Sequence, residues 1–145
     1  MIRPSFYKLK SNYKKKSRDI HTCSMHFPNT CAIRMSEALV RSNEKFLDAF
    51  KKSVKNKCPH GYIRGAQDLG AILAKRSVFG VRDLGWSAQE NPHNPPDDAI
   101  GKKGIVCYMN IPDFGGQGHI DLWDEAKPIG QAYWDAETIW MWTLK

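Results

Sequence analysis

What most restricts the folding of this chain is a change of hydrophobic period near residue 100. Up to about residue 76 the apolar residues recur three and four apart, the spacing that gives a helix one buried face. From residue 104 onward they come in short β-branched and aromatic runs: GIVCYMNI (104–111), GHIDLWD (118–124), IGQAYW (129–134) and TIWMWTL (138–144). Gly, Pro, Asp or Lys turns separate them. In the last run Ile139, Met141 and Thr143 alternate with Trp140, Trp142 and Leu144, one set for each face of a strand. Helices followed by strands predict an α+β fold, with N-terminal helices packed on a C-terminal antiparallel sheet. A chain of 145 residues can bury one core without help, so a single domain over 1–145 is expected.

Four helical stretches precede the strands. SFYKLKSNYKKKS (5–17) can place Phe6, Leu9 and Tyr13 on one side. NTCAIRMSEAL (29–39) reads as an amphipathic helix with Cys31 in its first turn and Ile33, Leu39 and Val40 on the anchoring face. Thr30 is the expected N-cap, with Asn29 the alternative. NEKFLDAFKKSV (43–54) carries Phe46, Leu47, Phe50 and Val54 at helical spacing. A further helix is expected from about Gly65 to Arg76, on Leu69, Ile72 and Leu73. Cys58-Pro59-His60-Gly61 is a turn, and WSAQENPHNPPDD (86–98) a long proline-rich loop of a kind that often serves function.

The net charge of +7 suggests a nucleic-acid partner until it is located. Residues 1–18 hold Arg3, Lys8, Lys10, Lys14, Lys15, Lys16 and Arg18 and no acid, while the remaining 15 bases balance 15 acids. The excess is a basic N-terminal arm, which a solvated helix face explains without any partner. No apolar run approaches the roughly 18 residues of a membrane span, and the first residues lack the apolar stretch of a signal peptide. Neither a nucleic-acid nor a membrane partner is therefore expected. Four cysteines are too few for a disulfide scaffold of this length. If Cys31 is free, Cys23, Cys58 and Cys107 allow at most one bridge, and the spacing does not say which.

Two residues carry the chemistry. Cys31 at a helix start lies where the dipole favours a thiolate, although a lone cysteine is usually only a small buried residue. In GHIDLWD the period of two puts His119, Asp121 and Trp123 on one face and Ile120 and Leu122 on the other. Gly115, Gly116 and Gly118 just upstream let the backbone approach something closely. A cysteine on an early helix with a histidine 88 residues later on a strand is the order used by papain-like hydrolases.

The segments NTCAIRMSEAL, GKKGIVCYMNI and GHIDLW, with the opening RPSFYKL, resemble the type VI secretion amidase effectors of the fourth class. These are papain-like peptidoglycan hydrolases related to the NlpC-type peptidases. The resemblance implies a toxin made in the cytoplasm and injected into the periplasm of a target bacterium by the type VI secretion machinery. It implies a cognate immunity protein, and cleavage of the γ-D-glutamyl–diaminopimelate bond in peptidoglycan stem peptides. It puts the nucleophile on Cys31 and the base on His119, with no metal or organic cofactor. Some members take an Asp as third residue from the strand after GHxxLW, where this chain has Gln131, with Asp135 further on. Asp121, two residues after His119 on the same face, is the residue expected to orient the imidazole, with Gln131 and Asp135 in reserve. Backbone N–H groups at the Cys31 helix start would hold the oxyanion. Trp123 and Trp86 are candidate walls of a substrate groove, with core or rim as their alternative.

Three other readings compete. A papain-like amidase could act on another isopeptide or wall amide. HTCSMH, with His21, Cys23 and His26, together with Cys58 and His60 has the residue types of a zinc site, which with the basic arm would make a small nucleic-acid binder. Against it, the one-residue gap between Cys58 and His60 strains chelation by both. An inactive relative kept for binding is the third.

Overall fold

The computed structural model describes residues 1–13, 23 and 29–145. Its helices are α1 (Phe6–Asn12), α2 (Cys31–Ser42), α3 (Lys45–Lys51) and α4 (Ala66–Leu73). Its strands are β1 (Leu84–Trp86), β2 (Lys102–Met109), β3 (His119–Glu125), β4 (Lys127–Pro128) and β5 (Thr138–Thr143). The sheet runs β1-β5-β2-β3-β4 with every neighbouring pair antiparallel. The expected α+β arrangement is present, helices first and sheet second.

Helix α2 is the centre of the helical layer. Every residue from Cys31 to Leu39 is buried, as a helix packed on several sides must be. Its Ser36 hydroxyl accepts the amide of Ile63 at 3.2 Å, tying the loop after α3 to the helix. On α1, Ser5 Oγ caps the amide of Lys8 at 3.2 Å, and Phe6, Leu9 and Tyr13 are buried as their spacing required. The part of the expected 5–17 helix beyond Tyr13, and most of the basic arm's lysines with it, lies outside the described residues. Helix α3 ends at Lys51, so Val54 falls off its apolar face and is 97% exposed, while Phe46 and Phe50 enter the core. Helix α4 buries Leu69, Ile72 and Leu73 and packs on β2, with Cys107 Sγ against Gly70.

The sheet carries a core on each face. Ile105, Cys107, Ile120, Leu122 and Trp142 face the helices. Val106, Tyr108, Trp123, Ile139 and Met141 point the other way, where Trp134, Ala136 and Ala99 from the loops cover them. The alternation in GHIDLWD and TIWMWTL is thus realised residue by residue. The strand expected over IGQAYW (129–134) does not form. Ile129 still donates to Leu122 O at 3.1 Å, but the next amide, Gly130 N, goes to the Asp121 side chain at 2.7 Å. A carboxylate there takes the place of a backbone acceptor, and the chain leaves the ladder to cross the outer face. Strand β1 was not expected, because three residues are too few to show a period.

Cys23 and Cys58 form a disulfide, and Cys31 and Cys107 are free. Gly118 brings the chain into β3 at φ +107, and a Cβ there would collide with the carbonyl oxygen of Tyr108. Gly118→Ala is expected to cost about 3 kcal/mol, read as a lowered denaturant midpoint with an unchanged slope.

Candidate active site

The site forms where the front of α2 meets the start of β3. Thr30 occupies the N-cap position of α2, yet its hydroxyl makes no cap bond. Thr30 Oγ1 instead accepts Arg34 Nε at 3.1 Å, and Asn29 Oδ1 takes the Cys31 amide at 3.4 Å. Of the two candidate caps it is therefore Asn29 that reaches a helix-start amide. The competing guanidinium is the reason, since a charged donor is the stronger partner for the threonine oxygen. Cys31, 2% exposed, sits in the first turn, where the helix dipole is positive. Arg34, one turn on, is buried with its guanidinium 5.8 Å from the centre of the Tyr13 ring.

His119 opens β3 directly after the Gly118 turn, with its side chain 13% exposed. Cys31 and His119 line one open groove of about 430 Å3, with Arg34, Asn29, Phe114 and Tyr133 also on its walls. The imidazole stacks on Tyr108 at 6.1 Å between ring centres and meets the edge of Tyr133 at 5.3 Å. Two aromatic rings therefore fix its plane.

Asp121 lies behind the ring. Its carboxylate is 1% exposed, and Oδ2 is 3.8 Å from His119 Nε2, a charge contact longer than a hydrogen bond. Oδ1 accepts Leu122 N at 2.8 Å and Oδ2 accepts Gly130 N at 2.7 Å, so two amides solvate the buried charge. Burial alone would lower the His119 pKa, but Asp121 and Cys31 outweigh it and raise it to about 9. At neutral pH the ring is an imidazolium. Burial, then the nearby Asp121 charge, keeps the Tyr13 phenol well above its ordinary value, so Tyr13 stays neutral beside the site. Cys107, whose thiol donates to Ala66 O at 3.4 Å, is also held well above the usual range, by burial and then by Cys31.

The structure brings Cys31, His119 and Asp121 together and leaves the other candidates apart. Gln131 is exposed, accepting from the Tyr133 hydroxyl, and Asp135 lines a neighbouring groove. Trp123 is buried in the outer core with Nε1 bonded to Ala99 O at 2.9 Å. Trp86 packs edge-on against Trp134, its Nε1 donating to Asp98 at 2.8 Å, and lines a different groove. Tyr133 and Phe114 are wall residues that the sequence did not single out. Tyr133 lay in the run misread as a strand, whereas Arg34 stood in view three residues after Cys31.

The family model for type VI secretion system (T6SS) amidase effector protein 4 matches residues 27–142. Among solved structures, the type VI effector–immunity complex Tae4–Tai4 from Salmonella Typhimurium contains a chain that matches with a TM-score of 0.73. Identity is 23%, over 99% of this chain and 100% of that one. The corresponding complex from Enterobacter cloacae gives a TM-score of 0.72 at 20% identity, over 99% and 100%. The type VI effector Tae4 of Enterobacter cloacae gives 0.68 at 19% identity, over 99% and 98%. No curated protein matches with significance. At such identities the structural likeness speaks for the fold.

Proposed function

The chain belongs to the type VI secretion amidase effector 4 family, and from that premise we propose that it hydrolyses the γ-D-glutamyl–diaminopimelate bond of peptidoglycan stem peptides by a cysteine mechanism. The observation that carries this reading is the meeting of Cys31 and His119 in one open groove with the Asp121 charge behind the ring. In the resting pair the Cys31 proton already sits on His119, so the sulfur attacks the γ-carboxamide carbon as the thiolate, and the amides at the front of α2 take up the charge growing on its oxygen. Such donors are worth about 3 kcal/mol each in the transition state. His119, protonated at neutral pH, gives its proton to the nitrogen of diaminopimelate as the C–N bond breaks. It then accepts a proton from water, whose oxygen attacks the thioester and returns Cys31. Asp121 is a positioning residue that stabilises the imidazolium and holds its orientation.

Matching effectors from Salmonella Typhimurium and Enterobacter cloacae are seen in complexes with an immunity protein, and we assign this chain a partner of the same kind. Delivery by the type VI machinery to the periplasm of a target cell follows from the family. Among the described residues no helix is long and apolar enough to cross a membrane.

Mass spectrometry of purified peptidoglycan after digestion tests the assignment. The expected products carry a free γ-carboxyl on D-glutamate and a free α-amine on diaminopimelate. Fragments cut at any other bond would overturn the substrate, and an undigested wall would overturn the activity.

Asp121→Asn tests the third residue. Its amide nitrogen cannot accept from Gly130, so a stability loss of about 2 kcal/mol is expected. With the negative charge removed the His119 pKa falls below about 9, and kcat drops by about a hundredfold or more. NMR titration of the imidazole separates the two effects. A variant that is merely less stable, with an unmoved His119 titration, would leave Asp121 a structural residue only.

A further inference from the structure

We infer that Cys23, Cys58 and His60 bind a zinc ion when the protein is reduced, so that metal and disulfide are alternative clasps between the same two parts of the chain. The site is separate from the catalytic groove and does not rest on the roles given to Cys31 and His119.

A disulfide between Cys23 and Cys58 is complete without any third group, yet an imidazole is held against it. His60 Nδ1 lies 3.2 Å from Cys23 Sγ, and the three potential donor atoms all fall within 4.8 Å of one another. Tetrahedral zinc with thiolate and imidazole donors has ligand–ligand edges of about 3.5–3.8 Å, so little movement separates the two states. The Cα atoms of the two cysteines are 6.3 Å apart, a distance that suits either. The one-residue gap between Cys58 and His60 does not keep their donors apart. Gly61, at φ +87, closes the 58–61 turn by donating to Cys58 O at 2.9 Å, and the turn aims both side chains at Cys23.

The surroundings suit a bound metal. Cys23 and Cys58 are buried against Ile33 of α2 and Tyr62, which shields the sulfurs, while His60 is exposed and leaves a path for entry. Two thiolates and an imidazole favour zinc over hard cations, with water as the fourth ligand. Reduction of the bridge puts two electrons and two protons on the sulfur pair. Zinc then displaces both protons to solvent. In a reducing cytoplasm the metal would tie the segment ahead of α2 to the 58–61 turn. In an oxidising periplasm the disulfide would do so.

The test uses the full chain carrying Cys31→Ala, so that the groove thiol cannot supply a ligand. A water-soluble phosphine reduces the bridge, becoming phosphine oxide with oxygen from water. Zinc sulfate is added, the protein is desalted, and native mass spectrometry reads the retained metal. One zinc per chain with loss of two protons is expected after reduction, and none before it. His60→Ala added to that chain should keep the disulfide and a native circular-dichroism spectrum when oxidised, and lose the retained zinc when reduced. Failure of the reduced chain to hold zinc would overturn the inference. So would equal retention with His60→Ala, or retention by a Cys23→Ala, Cys58→Ala chain.

Discussion

Cys31→Ala is expected to abolish release of wall peptides, lowering kcat/KM by about 10^4-fold or more, while the protein stays folded. The loss is large because, among the described residues at the front of α2, the Cys31 sulfur is the strongest nucleophile on the groove, the Thr30 hydroxyl being bonded to Arg34. The cost to the fold is small, because alanine fills most of the same volume and is the better helix former. Digestion of purified peptidoglycan gives the activity, and a denaturant midpoint beside the wild type gives the stability. Cys107→Ala is the control. That thiol is sealed between α4 and β2 and bonded to Ala66 O, so its removal should leave activity intact. Wall cleavage at the wild-type rate by Cys31→Ala would end the cysteine mechanism.

His119→Ala should cost about 10^3- to 10^4-fold in kcat, since both proton transfers in the proposed cycle pass through the ring. The pH dependence sharpens this. The wild-type rate should fall as pH rises through about 9, where the imidazolium that protonates the leaving amine is lost. Stability follows the same group. A histidine whose pKa is raised from 6.5 to about 9 in the folded state stabilises fully below pH 6.5, and this contribution fades as pH climbs through 9. Denaturant midpoints should therefore drop between pH 6.5 and about 9 in the wild type and drop less in His119→Ala, which has no ring to titrate. A rate that stays level to pH 10 would remove His119 from the role of acid.

Much of this architecture was legible because period is a strong signal where one face is buried. The runs around β2, β3 and β5 alternate cleanly, and their registers put Tyr108 opposite His119 and Val106 opposite Asp121. The same alternation placed His119 and Asp121 on one face, and the Gly118 turn marked the spot. The run IGQAYW misled because its composition is that of a strand, and what ends the ladder is a side chain from elsewhere, Asp121. Only the folded chain reveals that, and with it the position of Tyr133 beside the imidazole. The Thr30 cap failed for a similar reason, since Arg34 claims its hydroxyl. The Cys23–Cys58 pairing could not be read at all, because 35 residues of spacing carry no geometry.

The carboxylate of Asp121 faces two ways at once: it clasps the crossing loop through Gly130, and it stands 3.8 Å behind the imidazole. In the proposed mechanism, shape and reactivity are thereby knotted together at one atom, Oδ2. On that reading, a lineage drifting toward harmlessness by changing this residue loses stability along with activity. Its disarmed descendants should instead arise at Cys31, where the scaffold barely notices the loss.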